Sequence, residues 1–514
     1  MISHCSAMIS YLTLSAMILF VSSINTEGSV CLNASAKDLL ITEDIWRTTS
    51  GKPIGDLWNA LTAGPRGPML LEDLQYIDSA AQFNRRKTLE RVVHTKGNTA
   101  FGYFEVMDDI TRYTKANVFD RIGKKTPVAV RFSKTFGEKG SSDTVREIRG
   151  FGIKFYTEEG NWDLVGLNFP VFFARDPMVI VNVGKVLGTN PVSGTRLNTR
   201  TFWTFLSLVP ESMAVVILLF SSKGIPLSYR HIDGFAVNTF TLINAKGETF
   251  YCKFNYLTNQ GARNMTKKKA LKLAALDPYF HGRDLYRAIE SQDFPSWTLF
   301  IQVMTEEQAK EVSFNPFDPT KEWNQTEFPM IRVGRIVLNR NPTDFDTEVE
   351  QIALCPSNLV PGIQPSPDKI LQGRILAYPD AHRHRLGVNF HRIPINSPLQ
   401  PPLHSWKAGF AENTEGKLRS SVNILRTLRN EVALETPYDV CGQSKRHDSL
   451  NEDNFSQARI YYKNLDETEK NNLIENLLEG LEMASNIPEE VFDYFQQVDV
   501  ELGRRILEAF REDR

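Results

Sequence analysis

Residues 374–387 read Arg-Ile-Leu-Ala-Tyr-Pro-Asp-Ala-His-Arg-His-Arg-Leu-Gly. Arg374 and Tyr378 are four apart, so on a helix they share a face. The sequence predicts one short helix here, over residues 367–378. It lies inside a segment, 339–402, where prolines are dense and regular periodicity is scarce. A long stretch of that kind within a compact protein usually carries function. Before it, from about residue 91 to 334, the pattern is strand-rich. Residues 126–133, 153–157 and 297–304 read as β-runs, and 235–256 as a hairpin around Asn244-Ala-Lys-Gly247. Many short strands broken by turn signals predict a barrel or sandwich. Helical insertions are expected near residues 201–210 and 267–276. After it, Leu473, Ile474, Leu477, Leu478 and Leu481 share one face, and Val491, Phe495, Val498, Leu502, Ile506 and Phe510 form a second stripe. Both are expected to be core contacts.

The chain has 514 residues, 41% apolar and 23% charged, with 59 basic side chains against 61 acidic. This is the composition of a globular protein. Its near-neutral balance gives no basic excess for nucleic acid or an anionic membrane, so neither a nucleic-acid nor a stable membrane partner is expected. The run Lys267–Lys269 reads as a solvated helix start. Residues 8–24 carry no charge, and small polar residues follow before Glu27. That is the layout of a secretory signal peptide cleaved near residues 23–28, with a signal anchor as the alternative. The expected location is secreted or within the endomembrane lumen. The chain ends Glu512-Asp513-Arg514, which is no peroxisomal tripeptide, in keeping with export. Cys5 would leave with the signal. Cys31, Cys252, Cys355 and Cys441 are widely spaced and lack a Cys-x-x-Cys pair, so zinc is not expected. Cys252 reads as a buried free thiol, and a bridge from Cys31 to Cys355 or Cys441 stays open. Sequons begin at Asn33, Asn264, Asn324 and Asn454.

A guanidinium beside a phenol oxygen favours the phenolate. Tyrosinate is one of the axial ligands of haem iron. From the pair alone, a tyrosine packed in a core beside a surface arginine is the commoner arrangement. The wider stretch decides otherwise, because residues 374–387 resemble the proximal haem signature of catalases. Upstream, Glu90-Arg91-Val-Val-His94-Thr-Lys-Gly97 resembles that family's distal signature. Between them Phe101-Gly-Tyr-Phe-Glu105, Lys125-Thr-Pro-Val-Ala-Val-Arg131-Phe-Ser133, Arg149-Gly-Phe-Gly-Ile-Lys-Phe-Tyr156 and Gly160-Asn-Trp-Asp-Leu-Val-Gly166 match in order and spacing. So do Phe314-Asn-Pro-Phe-Asp318 and Val337-Leu-Asn-Arg-Asn-Pro342, and the resemblance runs from about Gly55 to the C-terminus.

The resemblance implies an α+β catalase fold: an antiparallel β-barrel core with an N-terminal arm, a wrapping segment and a C-terminal helical domain. The expected divisions are a signal peptide (1–27), the arm (28–75), the barrel core with the distal site (76–338), the wrapping segment with the proximal ligand (339–450) and the helical domain (451–514). It also implies haem b and a homotetramer. By position, His94 would move a proton between peroxide oxygens and Ser133 would hold His94. Arg91, Arg131 and Arg385 would pair with the haem propionates. Tyr378 would be the axial iron ligand, made anionic by Arg374.

The chain departs from the family pattern in several places. Leu89, Asn98 and Leu376 replace a proline, a small residue and a phenylalanine. Leu167 stands where active members carry an asparagine that orients peroxide, and Asn168 is expected to point to the opposite face of an extended strand. Ile180 and Val183 replace aromatics at the channel mouth, Thr135 a small apolar gate residue, and Glu147 the channel aspartate. A wider approach would admit organic peroxides or one-electron donors. Ala214, Leu218, Asp233, Leu257 and Gln325, with Lys223 and Phe235, occupy the family's NADPH positions without its residues, so NADPH is not expected. The leading expectation is hydrogen peroxide disproportionation with reduced efficiency, serving peroxide detoxification. The alternatives are a haem peroxidase with an organic donor, a catalytically weak secreted haem-binding protein, and a lipid-hydroperoxide rearrangement.

Overall fold

The computed structural model describes residues 46–186, 199–400, 437–482, 484 and 487–512. The signal peptide, Cys31 and the Asn33 sequon lie outside the described residues. In the short stretch to Gly55, the Ile54 amide donates to the Trp46 carbonyl at 2.8 Å and closes a turn. The residues from Asp56 onward form a separate compact unit.

Its described strands are β1 (Leu61–Ala63), β2 (Gly97–Val106), β3 (Lys125–Lys134), β4 (Arg149–Thr157), β5 (Gly160–Leu167), β6 (Gly234–Phe235), β7 (Phe240–Ile243), β8 (Thr249–Thr258), β9 (Ser296–Thr305), β10 (Ile331–Arg340), β11 (Ile363–Pro365) and β12 (Ser444–Arg446). Strands β2, β3, β4, β5, β6, β8, β9 and β10 pair in the order 2-3-4-5-6-8-9-10, and β10 returns to β2, closing an antiparallel barrel. Closure leaves those strands no free edge. β7 and β11 extend from β8 at one side, and β1 pairs with β12.

Alternation along β3 to β5 makes two different surfaces. Phe132, Phe151, Ile153, Phe155, Trp162 and Leu164 point inward and are fully buried. Their rings interlock, with Phe151 and Tyr256 at 4.4 Å between centroids and Phe155 stacked on Trp162 at 4.4 Å. The intervening residues point out of the barrel. Two cross-strand rows result: Ser133, Gly150 and Leu167, and Arg131, Gly152 and Val165. Residues directly opposite on paired strands share a face. That outer face carries the site.

The described helices are α1 (Leu74–Asn84), α2 (Pro177–Val186), α3 (Thr199–Leu208), α4 (Met213–Phe220), α5 (Lys267–Leu276), α6 (Phe280–Glu290), α7 (Glu306–Glu311), α8 (Lys369–Leu386), α9 (Ser456–Lys463), α10 (Glu467–Glu482), α11 (Glu489–Val498) and α12 (Val500–Glu512). The sequence expectation of a short helix at 367–378 is corrected by α8, which continues for two turns past Tyr378. Pro379 lacks the N–H that would reach the Ile375 carbonyl, yet the helix runs through it to Leu386. The stop comes at Gly387, with φ +95°, after a basic last turn of Arg383, His384 and Arg385. The second C-terminal stripe is likewise two helices. Asp499 is extended and caps α12, accepting from the Glu501 amide at 3.0 Å. Both stripes are core: Leu473, Leu477, Leu481, Val491, Phe495, Val498, Leu502 and Ile506 are buried in one cluster with α4. The lysine run opens α5 as expected, capped by Thr266, with Lys268 and Lys269 exposed. Cys252 is a buried free thiol. Asn264 and Asn324 are exposed, whereas Asn454 is buried and its amide donates to the Leu450 carbonyl at 2.9 Å. Among the described residues no single helix is long and apolar enough to cross a membrane.

Candidate active site

The eight residues singled out from the sequence line a single cavity: Arg91, His94, Arg131, Ser133, Leu167, Arg374, Tyr378 and Arg385. The cavity occupies about 1660 Å³ including its open mouth. One wall is the outer face of β3 to β5, and another is α8.

His94 precedes β2 in a left-handed conformation, φ +59°. That backbone is uncommon for a residue with a Cβ and persists where surroundings hold it. Here the His94 amide donates to the Thr135 carbonyl at 2.8 Å, and Arg131 Nη2 donates to the His94 carbonyl at 3.0 Å. The ring is fixed by a 2.9 Å hydrogen bond between His94 Nδ1 and Ser133 Oγ. Gly150 makes room for this pair: a Cβ there would lie 2.4 Å from Ser133 Oγ and 2.6 Å from His94 Nδ1. Burial, then the charges of Arg131, Arg374 and Arg91, push the imidazole down to about 3, so it is neutral.

Across the cavity, Arg374 Nη2 donates to Tyr378 Oη at 3.2 Å and to the Val165 carbonyl at 2.9 Å. Arg374 Nη1 donates to Asn238 Oδ1, and Asn238 Nδ2 donates in turn to Asp368 Oδ2 at 2.8 Å. Asp368 is also the N-cap of α8, accepting from the Leu371 amide at 3.0 Å. One carboxylate therefore both starts the helix that carries Tyr378 and anchors its guanidinium partner. Burial raises Asp368 to about 6, against the hydrogen bonds from Asn238, Leu371 and Thr239. Asn238 and Asp368 escaped the sequence reading. Asp368 had a usable signal, an acidic cap before an apolar helix start.

At the rim, Arg91 Nη2 donates to the carbonyls of Glu350 and Ile352, both at 2.9 Å, and Arg385 Nη1 donates to the Glu350 carbonyl at 2.6 Å. Glu350, also unforeseen, pairs with Arg91 at 3.4 Å and acts on Arg131 and Arg385. Burial lowers all three arginines, Arg131 and Arg385 to about 10. Arg131 Nε is buried without a hydrogen-bond partner. Three guanidiniums stand near Glu350, which Lys139 also approaches at 3.8 Å, so positive charge is in excess here. The two propionates of a haem would offset part of that excess, and the unpartnered donor suits one of them. The residues present therefore fit the group.

Leu167 lies in the outer row, opposite Gly150, and is buried. Asn168 does not replace it. Its Oδ1 accepts from the Arg149 amide at 2.7 Å, which continues the strand ladder. Ile180 and Val183 line the cavity, as does Thr135, whose hydroxyl donates to the Ile148 carbonyl at 3.0 Å. Glu147 departs from the expectation of a channel charge. Its carboxylate accepts from the Phe136 and Gly137 amides and pairs with Lys134 at 3.1 Å. The longer stem lets it fold back onto the loop.

A family model described as Catalase matches residues 47–426, and one described as Catalase-related immune-responsive matches 448–510. Catalase of Sus scrofa is 47% identical over 470 residues, 90% of this chain and 89% of that protein. Catalase of Drosophila melanogaster is 46% identical over 471 residues, 90% of this chain and 93% of that protein. A solved bacterial catalase aligns with a TM-score of 0.76 at 36% identity, covering 93% of this chain and 99% of its own. Catalase A from Saccharomyces cerevisiae gives 0.73 at 38% identity, covering 90% and 98%. By class the chain is an oxidoreductase. It belongs to the catalase family, whose cofactor is haem.

Proposed function

We propose that this chain disproportionates hydrogen peroxide to water and dioxygen at a haem b seated between His94 and Tyr378, in the service of peroxide detoxification. The observation that carries this reading is the single cavity that joins the His94–Ser133 pair, the Arg374–Tyr378 pair and the guanidiniums of Arg91, Arg131 and Arg385. Tyr378 would hold the iron, with Arg374 stabilising its anionic oxygen. Arg91, Arg131 and Arg385 would hold the propionates by charge-assisted bonds. Bound haem supplies two-electron redox chemistry. Neutral His94 takes a proton from one peroxide oxygen and returns it to the other, which favours heterolytic O–O cleavage. Ser133 keeps the ring oriented while the proton moves.

Leu167 supports a reduced efficiency, because hydrocarbon cannot orient peroxide. The same residue favours the second reading, a haem protein with little turnover or one that relies on an organic donor. Oxygen evolution per haem decides between them. Sustained evolution from hydrogen peroxide alone supports disproportionation, and haem-loaded protein without evolution rejects it.

Tight NADPH binding is not part of this reading. Ala214 and Leu218 are buried in α4, and Asp233 is tied to the Thr258 amide at 2.9 Å. A homotetramer is supported by the family and by apolar side chains left open near the N-terminus, Leu71 at 82% and Leu74 at 68% exposure. Export is supported by the uncharged run at 8–24 and by two exposed sequons, at Asn264 and Asn324.

A further inference from the structure

Three polar side chains near Leu167, those of Thr135, Glu147 and Asn168, are engaged elsewhere. The Thr135 hydroxyl is bonded to the Ile148 carbonyl, the Glu147 carboxylate to the loop amides and Lys134, and Asn168 Oδ1 to the Arg149 amide. What remains facing the cavity there is Ile148, Leu167, Phe172, Phe173, Ile180 and Val183. Of these, Ile148, Leu167 and Val183 are buried and the rest half-buried. This hydrocarbon surface is continuous with the His94–Ser133 pair, because Leu167 sits in the same outer row as Ser133 and Gly150.

The wall discriminates between two kinds of peroxide. Hydrogen peroxide has a hydroxyl at each end, so an end turned to this wall loses its hydrogen bonds to water and gains none. An organic hydroperoxide has one hydroperoxy end and one hydrocarbon end. Its polar end can meet His94 while its carbon substituent covers Leu167, Ile180 and Val183, and burial of that substituent is favourable.

We infer that the site takes apolar organic hydroperoxides as oxidant, with hydrogen peroxide as reductant. This inference rests on the haem-peroxide reading above and names a substrate class for the same site. The reaction is ROOH + H2O2 → ROH + H2O + O2. The O–O bond of the organic peroxide breaks, and its two oxygens leave as alcohol and water. Hydrogen peroxide loses two electrons and two protons and leaves as dioxygen with its own O–O bond intact; those electrons and protons convert the second oxygen of the organic peroxide to water. His94 moves the hydroperoxide proton onto the alcohol oxygen in the first half and relays a proton from hydrogen peroxide in the second.

The test gives the haem-loaded protein cumene hydroperoxide together with hydrogen peroxide labelled with oxygen-18 in both atoms. The expected result is one cumyl alcohol per doubly labelled dioxygen, formed faster than dioxygen from labelled hydrogen peroxide alone. Calorimetric titration with cumyl alcohol gives a reading independent of turnover. Binding is expected to weaken roughly tenfold or more in Leu167→Asn and Ile180→Phe, the scale of a changed hydrophobic contact. Two variants guard against one that misfolds. Oxygen from hydrogen peroxide with no cumyl alcohol formed overturns this inference and leaves the parent reading standing. No oxygen and no cumyl alcohol from haem-loaded protein overturns both.

Discussion

Leu167 stands directly across the β4–β5 ladder from Gly150, so its side chain shares a sheet face with the His94–Ser133 pair. An amide placed there would reach the same space. Loss of one oriented hydrogen-bonding group in a preorganised site typically lowers rate by roughly 10²–10³-fold. Leu167→Asn is therefore expected to raise oxygen evolution per haem by roughly 10²-fold. An oxygen electrode measures it, and unchanged evolution would mean that solvent already orients the peroxide.

Gly150 tests the opposite change. A Cβ would press on both Ser133 Oγ and His94 Nδ1. Gly150→Ala is expected to abolish most of the turnover while costing about 1–3 kcal/mol of stability, the usual range for overpacking. Activity assays beside thermal melts separate the two effects. Full activity would show that the pair can shift without loss.

The rim arginines predict a dependence on the propionates. Charge-assisted hydrogen bonds contribute about 1.5–3 kcal/mol each. Haem dimethyl ester, which lacks the two charges, is expected to bind at least roughly 10²-fold more weakly than haem. Absorbance titration of haem-free protein checks this, and equal affinities would remove Arg91, Arg131 and Arg385 from that role.

Asp368 has two tasks, so Asp368→Ala has two consequences. Loss of the cap on α8 is expected to lower stability by about 1–2 kcal/mol. Loss of the Asn238 anchor frees Arg374, so haem is expected to dissociate faster and the haem absorption band to shift. A melt together with haem transfer to an acceptor protein measures both. A lower melting temperature with unchanged haem loss would reduce Asp368 to a helix cap.

Low pH should act through the buried histidines. His382 is held at about 3 by burial and then Arg385, and His94 at about 3. An unfolded histidine titrates near about 6.5. Between those values the unfolded chain binds protons that the folded chain does not, so their contribution to stability falls as pH drops from about 6.5 toward 3. Asp176 and Asp368, at about 6, and Glu211, at about 7, act in the opposite direction. The histidine part is read from the difference between the natural chain and His382→Gln. The variant is expected to gain relative stability as pH falls from 7 to 4. A difference that stays constant with pH would contradict it.

The site was more legible in the sequence than its supports. Arg131 and Ser133 alternate with Phe132 in one strand, and that parity alone separates cavity from core. The i, i+4 spacing of Arg374 and Tyr378 likewise survives as a direct hydrogen bond. Asn238 and Asp368 were not legible as a pair because they lie 130 residues apart and meet only through the tertiary fold. Glu350 lies on an irregular π-turn without periodicity. The fate of the Glu147 carboxylate depends on loop amides whose direction no side-chain pattern encodes. Pro379 was misleading, since proline usually marks a helix end and here the helix continues through it.

The closed barrel has its aromatic residues in the lumen and its chemistry on the outside of the same three strands. Alternate positions therefore answer to different demands. A substitution at 131, 133, 150, 165 or 167 alters what the cavity can hold without touching the interlocked rings, and one at 132, 151 or 155 does the reverse. The scaffold can thus change what its cavity accepts while keeping its architecture, and Leu167 occupies a position of that kind.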